Sequence, residues 1–220
     1  MVRIPNYELA QSKAYDALTL IKDDLFPISP QKLIDTIPDL KLSTYSEYAK
    51  YCGCDVSKVI SFFGSEDGTI WNRKKSQNTN IIFYNDTISY EPMIRFTIAH
   101  ELGHYFLKHS FQLAHSQIGV DDDEYNAMEK EANYFAKRFL APLPIIYRIM
   151  DELPEPTISN DEIQAVFEVS SPTSIYIIDN MNNLPWIPLD DSMCSHFSRG
   201  IKEAEHLITN YRNLRNTSIL

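Results

Sequence analysis

His100, Glu101 and His104 are the residues of this chain whose types and spacing offer chemistry, in the run His100-Glu101-Leu102-Gly103-His104. On a helix, histidines four residues apart project from one face, one turn apart, so both imidazoles can reach a single metal ion. The glutamate between them would sit beside that ion, where it can take a proton from a bound water. The chemistry on offer is hydrolysis by a metal-activated water. Its segment has helical logic: Pro92 suits a first turn, and Phe96, Ala99, Gly103 and Leu107 recur at the spacing of one buried stripe.

A hydrolytic zinc site takes three protein ligands and leaves a fourth position for water. A third histidine at metzincin offsets is absent, because those positions hold Leu107 and Ser110. His109 and His115 follow no ligand spacing and read as solvated histidines near a helix end. A second helix over 125–141 offers a carboxylate instead. Ala132, Phe135, Ala136, Phe139 and Leu140 form its apolar stripe, and Lys130, Tyr134, Lys137 and Arg138 its outer face. At about 100° per residue, Glu129 falls on the edge of the stripe and Glu131 points well round toward solvent. Asn133 sits one turn beyond Glu129 on the same edge. A carboxylate and an amide turned toward a core are costly unless satisfied. A metal would satisfy Glu129, and a ring N–H of a liganding histidine would satisfy Asn133. The candidate ligands are therefore His100, His104 and Glu129, with Glu101 as general base and Asn133 supporting a ligand. Zinc is the expected ion, and manganese also suits a His/carboxylate set. The donor of a hydrogen bond to the developing oxyanion stays open among Tyr84, Tyr90, Tyr105, His115 and His196.

The run Arg95-Phe96-Thr97-Ile98-Ala99-His100-Glu101-Leu102-Gly103-His104 resembles the signature of the ImmA/IrrE family of metallopeptidases. So does Glu129-Lys130-Glu131-Ala132-Asn133-Tyr134-Phe135-Ala136, followed by Phe139-Leu140-Ala141-Pro142. The resemblance is specific over 80–142 and departs from the family only where Ala141 stands in place of a usual methionine. It implies that the first block supplies two zinc histidines and the general base, and that Glu129 and Asn133 match the gluzincin-like Glu-x-x-x-Asn/Asp arrangement. It also implies a cytoplasmic peptidase, common in mobile elements, that cleaves a helix-turn-helix transcriptional repressor and so induces silenced genes.

The elements that must position these residues read as an α+β fold, mainly helical. A small sheet packs on the HExxH helix, and helical regions lie on either side. The expected divisions are an N-terminal helical region (1–68), a zinc metallopeptidase core (69–150) and a C-terminal helical region (151–220). Residues 6–70 read as helical: one amphipathic helix on Leu9, Ala14, Ala17, Leu18 and Ile21 ending near Pro27, a short one begun by Ser29-Pro30, and two pieces between Ser43 and Phe63 broken at Cys52-Gly53. Thr69–Trp71 and Asn80–Asn85 read as strands, with Ile81–Asn85 either the edge strand that pairs with an extended substrate or an ordinary sheet strand. Residues 161–179 form a helix-turn-helix-like pair whose second helix has no lysine or arginine, so it reads as packing or partner-holding rather than DNA reading. Trp186 marks a loop, and the tail with His206, Arg212 and Arg215 a terminal helix.

A net charge of −10 argues against direct nucleic-acid binding but permits a basic protein partner. No run is long enough for a membrane span, and the first residues lack a signal peptide's apolar core. Three cysteines cannot all pair within the chain, which fits a reducing, cytoplasmic setting; Cys52 and Cys54 read as small buried thiols. Asp121–Glu124 reads as a solvated helix entry. The competing function is a catalytically weak zinc-binding regulator acting by protein–protein contact, as an anti-repressor or toxin–antitoxin component. Glu101 weighs against it, because holding zinc does not require that residue.

Overall fold

The computed structural model describes residues 3–73, 79–109, 122–183 and 190–217. His115 and Trp186 lie outside the described residues. The chain divides into two compact units, Met1–Leu20 with Ser29–Phe139, and Ile21–Ile28 with Leu140–Leu220. The fold is α+β and mainly helical, with one three-stranded sheet among the described residues.

In the first unit, α1 (Tyr7–Leu18) is entered through the Asn6 side chain, which accepts the Leu9 amide. It buries Ala10, Ala14, Ala17 and Leu18. The expected helix was longer: α1 stops at Leu18, Ile21 lies beyond it, and Leu9 is exposed. Small alanines let its neighbours approach, so Leu9 is not needed on the buried face. The helix α2 (Pro30–Thr36) follows its Ser29 cap, and α3 (Tyr45–Cys52) opens on a reciprocal capping box between Thr44 and Glu47. Gly53 in the left-handed region ends α3, and α4 (Val56–Phe63) follows. Cys52 is exposed rather than buried, because it lies on the outward side of that last turn.

Between α2 and α3 the chain forms β1 (Leu40–Thr44), a strand where helix was expected. Strands β2 (Gly68–Arg73) and β3 (Thr79–Tyr84) pair antiparallel, with Ile70 opposite Ile82, while β1 pairs parallel to β3 from Leu40↔Asn80 to Thr44↔Tyr84. The order is β1-β3-β2. This overturns the edge-strand option for Ile81–Asn85: β3 is central and carries a ladder on both sides, and among the described residues β1 and β2 are the edges.

Helix α5 (Glu91–Phe106) begins with a proline in its first turn and packs on β2, β3, α1 and α2. Gly68 lets it approach the sheet closely: a Cβ there would stand 2.5 Å from Thr97 Cγ2 and 2.8 Å from the Phe83 carbonyl oxygen. Burial from Thr97 to His104 is nearly complete, broader than a single stripe, and Phe96 and Leu107 lie at its margins. The second helix, α6 (Asp122–Leu140), starts in the acidic turn Asp122-Asp123-Glu124, which suits a helix N-terminus.

The second unit holds α7 (Leu143–Glu152), α8 (Asn160–Phe167), α9 (Ser171–Asn183), α10 (Asp191–His196) and α11 (Ser198–Thr217). Phe26 packs on Phe167 and Phe197, with ring centroids 5.1 and 5.5 Å away. Helices α8 and α9 form the expected pair, joined through Glu168 in a left-handed turn. No helix among the described residues is long and apolar enough to cross a membrane.

Candidate metal centre

Where α5 and α6 cross, Gly103 faces Ala132. A Cβ on Gly103 would lie 3.0 Å from Ala132 Cα and 3.2 Å from Phe135 Cβ, so the missing side chain sets how close the helices come. Phe106 stacks on Phe135 beside that crossing, with ring centroids 5.7 Å apart. One turn to the N-terminal side of Ala132, α6 presents Glu129 to the two histidines of α5. His100 Nε2 and His104 Nε2 stand 3.0 Å apart. Each is 3.3 Å from a Glu129 carboxylate oxygen, His100 from Oε2 and His104 from Oε1. Donor atoms from these three side chains all lie within 4.8 Å of one another, and no other such trio of His, Cys, Asp and Glu occurs among the described residues.

That geometry suits an ion. Three donors at zinc–nitrogen and zinc–oxygen bond lengths around a tetrahedral centre stand roughly 3.3 Å apart. The remaining ring nitrogens are already engaged. His100 Nδ1 lies 3.1 Å from Asn133 Oδ1, an acceptor, so that nitrogen carries the proton and Nε2 keeps its lone pair. Two imidazole nitrogens and a carboxylate thus converge on one point, which a cation would satisfy. The electrostatics agree. Burial alone would raise the Glu129 carboxyl, but the His100 and His104 rings against it, which carry positive charge when protonated, outweigh burial and hold the group far below the usual carboxylate range. Burial would lower His100, yet the Glu129 and Glu101 carboxylates favour positive charge there and leave it raised.

Glu101 is 7 % exposed, and burial pushes its carboxyl up against the pull of His100 and His104. The Ile70 backbone amide of β2 donates to it. An edge strand therefore touches the carboxylate that the sequence marks as a base. Nothing in the residue pattern announces this, since it depends on β2 rather than β3 lying at the sheet's edge.

Two expectations fail beside the centre. Glu131 is 2 % exposed, not turned to solvent, and His109 is buried rather than solvated. His109 Nε2 lies 2.8 Å from Glu131 Oε2, and His109 Nδ1 lies 2.9 Å from His104 Nδ1. The reason is local and tertiary together. Lys108 takes a left-handed φ of 54° and folds His109 back, its amide donating to the His104 carbonyl, while the N-terminal segment covers the side of α6 that a helical wheel assigns to water. Burial, reinforced by His104, pushes the His109 imidazole down to about 4. Arg138, expected outside, is also fully buried, with its guanidinium 4.5 Å from the Tyr134 ring centroid and donating to the Tyr134 hydroxyl.

Of the oxyanion candidates, Tyr105 donates its hydroxyl to Asp39 at 2.8 Å, Tyr84 ends β3, and Tyr90 is the N-cap residue of α5. His196 belongs to the second unit and packs edge-on against Phe197. Tyr125 was not among the candidates, yet its hydroxyl bonds to Glu129 from one turn earlier on α6. The four-residue spacing to Glu129 was the available signal.

No curated protein matches the chain. A family model described as the IrrE N-terminal-like domain, a peptidase family, matches residues 59–173, reaching beyond 80–142 on both sides and covering both motif helices. With more than half of its length inside that match, the chain belongs to the ImmA/IrrE family of metallopeptidases.

Proposed function

We propose that this chain is a zinc-dependent endopeptidase that hydrolyses a peptide bond in a helix-turn-helix transcriptional repressor and so relieves repression. His100, His104 and Glu129 would hold the ion, which when bound activates a water and polarises the scissile carbonyl. Glu101 takes the water's proton and delivers it to the leaving amine, a task suited to a carboxyl whose burial has moved it upward. Asn133 orients His100 through the bond to Nδ1. Ile70 steadies Glu101 from β2, and the edge that β2 leaves open among the described residues is the place for an extended substrate strand to pair.

The observation that carries the reading is the meeting of Glu129 with both histidines beside a fourth group, Glu101, that metal binding does not need. Family membership and the net charge of −10 support a basic, DNA-binding protein as substrate. Elemental analysis of purified wild type beside Glu129→Ala tests the centre. The expected result is about one zinc per chain, lost in the variant; zinc indifferent to Glu129 would overturn the ligand set. Incubation with a panel of purified helix-turn-helix repressors, read by mass spectrometry, tests the substrate. A single new cleavage, absent with Glu101→Gln, is expected, and cleavage surviving in that variant would sink the scheme.

A further inference from the structure

The His104 ring has its second nitrogen committed to a line of buried groups that the peptidase reading does not use. Arg3 Nη2 lies 3.0 Å from Glu131 Oε2, and the Asn6 backbone amide donates to Glu131 Oε1 at 2.7 Å. Neither of these donors can accept, so both Glu131 oxygens act as acceptors. His109 Nε2, 2.8 Å from Oε2, must then be a donor to the same carboxylate. A neutral imidazole that donates from one nitrogen accepts at the other. His109 Nδ1 therefore accepts from His104 Nδ1, 2.9 Å away. A proton on His104 Nδ1 leaves the Nε2 lone pair bare, and that atom faces His100 and Glu129.

We infer that His109 and Glu131, with Glu131 clamped by Arg3 and the Asn6 amide, are positioning residues that fix His104 in its Nδ1–H tautomer and aim its Nε2 lone pair into the metal centre. The backbone agrees: Lys108 holds a left-handed turn that a lysine rarely adopts, and that turn is what returns His109 to His104. The two histidines of α5 are thus prepared differently. His100 relies on an amide within α6, whereas His104 relies on a histidine–carboxylate pair tied to the N-terminal segment. The inference rests on the metal-site reading, but half of its test does not.

That half is a two-bond proton–nitrogen NMR correlation on the metal-free wild type. His104 should show Nδ1 protonated and Nε2 bare before zinc is added, and the same pattern after. A protonated Nε2 in the metal-free protein would overturn the inference whether or not the protein proves to be a zinc peptidase. The other half is zinc affinity, measured by competition with a chromogenic chelator. Outer partners of metal-bound histidines typically change affinity 10–100-fold. His109→Leu, which cannot accept from His104, should weaken zinc by roughly that factor. His109→Gln, whose amide can accept from His104 and donate to Glu131, should recover most of the loss. Arg3→Ala, one step further from the ring, should weaken binding by less than the roughly 10-fold lower end of that range. Equal losses in the leucine and glutamine variants would mean that His109 merely fills space, and would also overturn the assignment. Absence of zinc binding in the wild type itself would instead strike the metal-site reading and leave the NMR result to stand alone.

Discussion

Two glutamates, one in each compact unit, make an instructive pair: Glu162 is buried, and Glu129 is part-exposed. Glu162 at the start of α8 has every acceptor matched: Arg212 donates Nε to Oε1 at 2.7 Å and Nη2 to Oε2 at 3.1 Å, and the Ser159 amide adds a third bond at 2.8 Å. The arrangement closes on itself and ties α8 to α11. Glu129 on α6 faces two histidine nitrogens whose other nitrogens already have partners, so the lone pairs there point at one another and at an oxygen. A buried charge with a complete set of donors is framework. A carboxylate set against two imidazole lone pairs marks a place for a cation, even with the Tyr125 hydroxyl donating to it. The Glu162 cluster is accordingly complete as it stands, and the α5–α6 cluster is the one that a cation would complete.

The contrast is broken most severely by Glu129→Ala. Loss of one of three ligands should lower zinc affinity by at least about 100-fold, at the upper end of what outer partners contribute, and chelator competition would detect it. Unaltered affinity would make Glu129 another framework carboxylate. Glu101→Gln should keep zinc while reducing peptide hydrolysis by on the order of 10²–10⁴, the usual contribution of a general base. Steady-state cleavage beside metal content separates the two effects.

Smaller changes sharpen the comparison. Gly103→Ala should destabilise the first unit by about 1–3 kcal/mol through overpacking against Ala132 and should weaken zinc by moving Glu129, both measurable on one preparation by thermal unfolding and titration. Arg212→Ala should cost roughly 1–3 kcal/mol by leaving Glu162 without its charged partner, with zinc affinity unchanged. The pH dependence of that pair has a definite sign. Burial would raise Glu162, but Arg212 outweighs it and holds the carboxyl below its ordinary value. Its contribution is therefore complete above the unfolded value of about 4.3 and fades as pH falls through the lower folded one. The stability gap between wild type and Glu162→Gln should close under acid; a gap widening there would refute the assignment.

Much of the centre was legible because helical spacing alone places His100, His104, Glu129 and Asn133. The side of α6 holding Glu131 was not, because a wheel drawn for one helix assumes water opposite its apolar stripe. Here residues Arg3 to Asn6, distant in sequence, occupy that side. His109 was illegible for a related reason, since it lies past a helix end and returns only through the left-handed Lys108. The strand β1 hid in a short Leu-Lys-Leu-Ser-Thr stretch between two helices, and its insertion beside β3 changed which strand became an edge. The Ser29 cap was legible by contrast, because it acts on Lys32 only three positions away; the capping boxes at Thr44 and Ser159 have the same local spacing and were not singled out.

The crossing at Gly103 and Ala132 carries one more consequence. His100 and its partner Asn133 are 33 positions apart, so an ion shared between their helices acts as a crosslink that can be withdrawn. Free zinc at 100 times its dissociation constant would add about 2.7 kcal/mol to the folded state by mass action alone. Heat resistance then becomes a gauge of metal supply: a cell short of zinc would hold a softer, more readily degraded copy of this protein, and its lifetime would follow the ion rather than the gene.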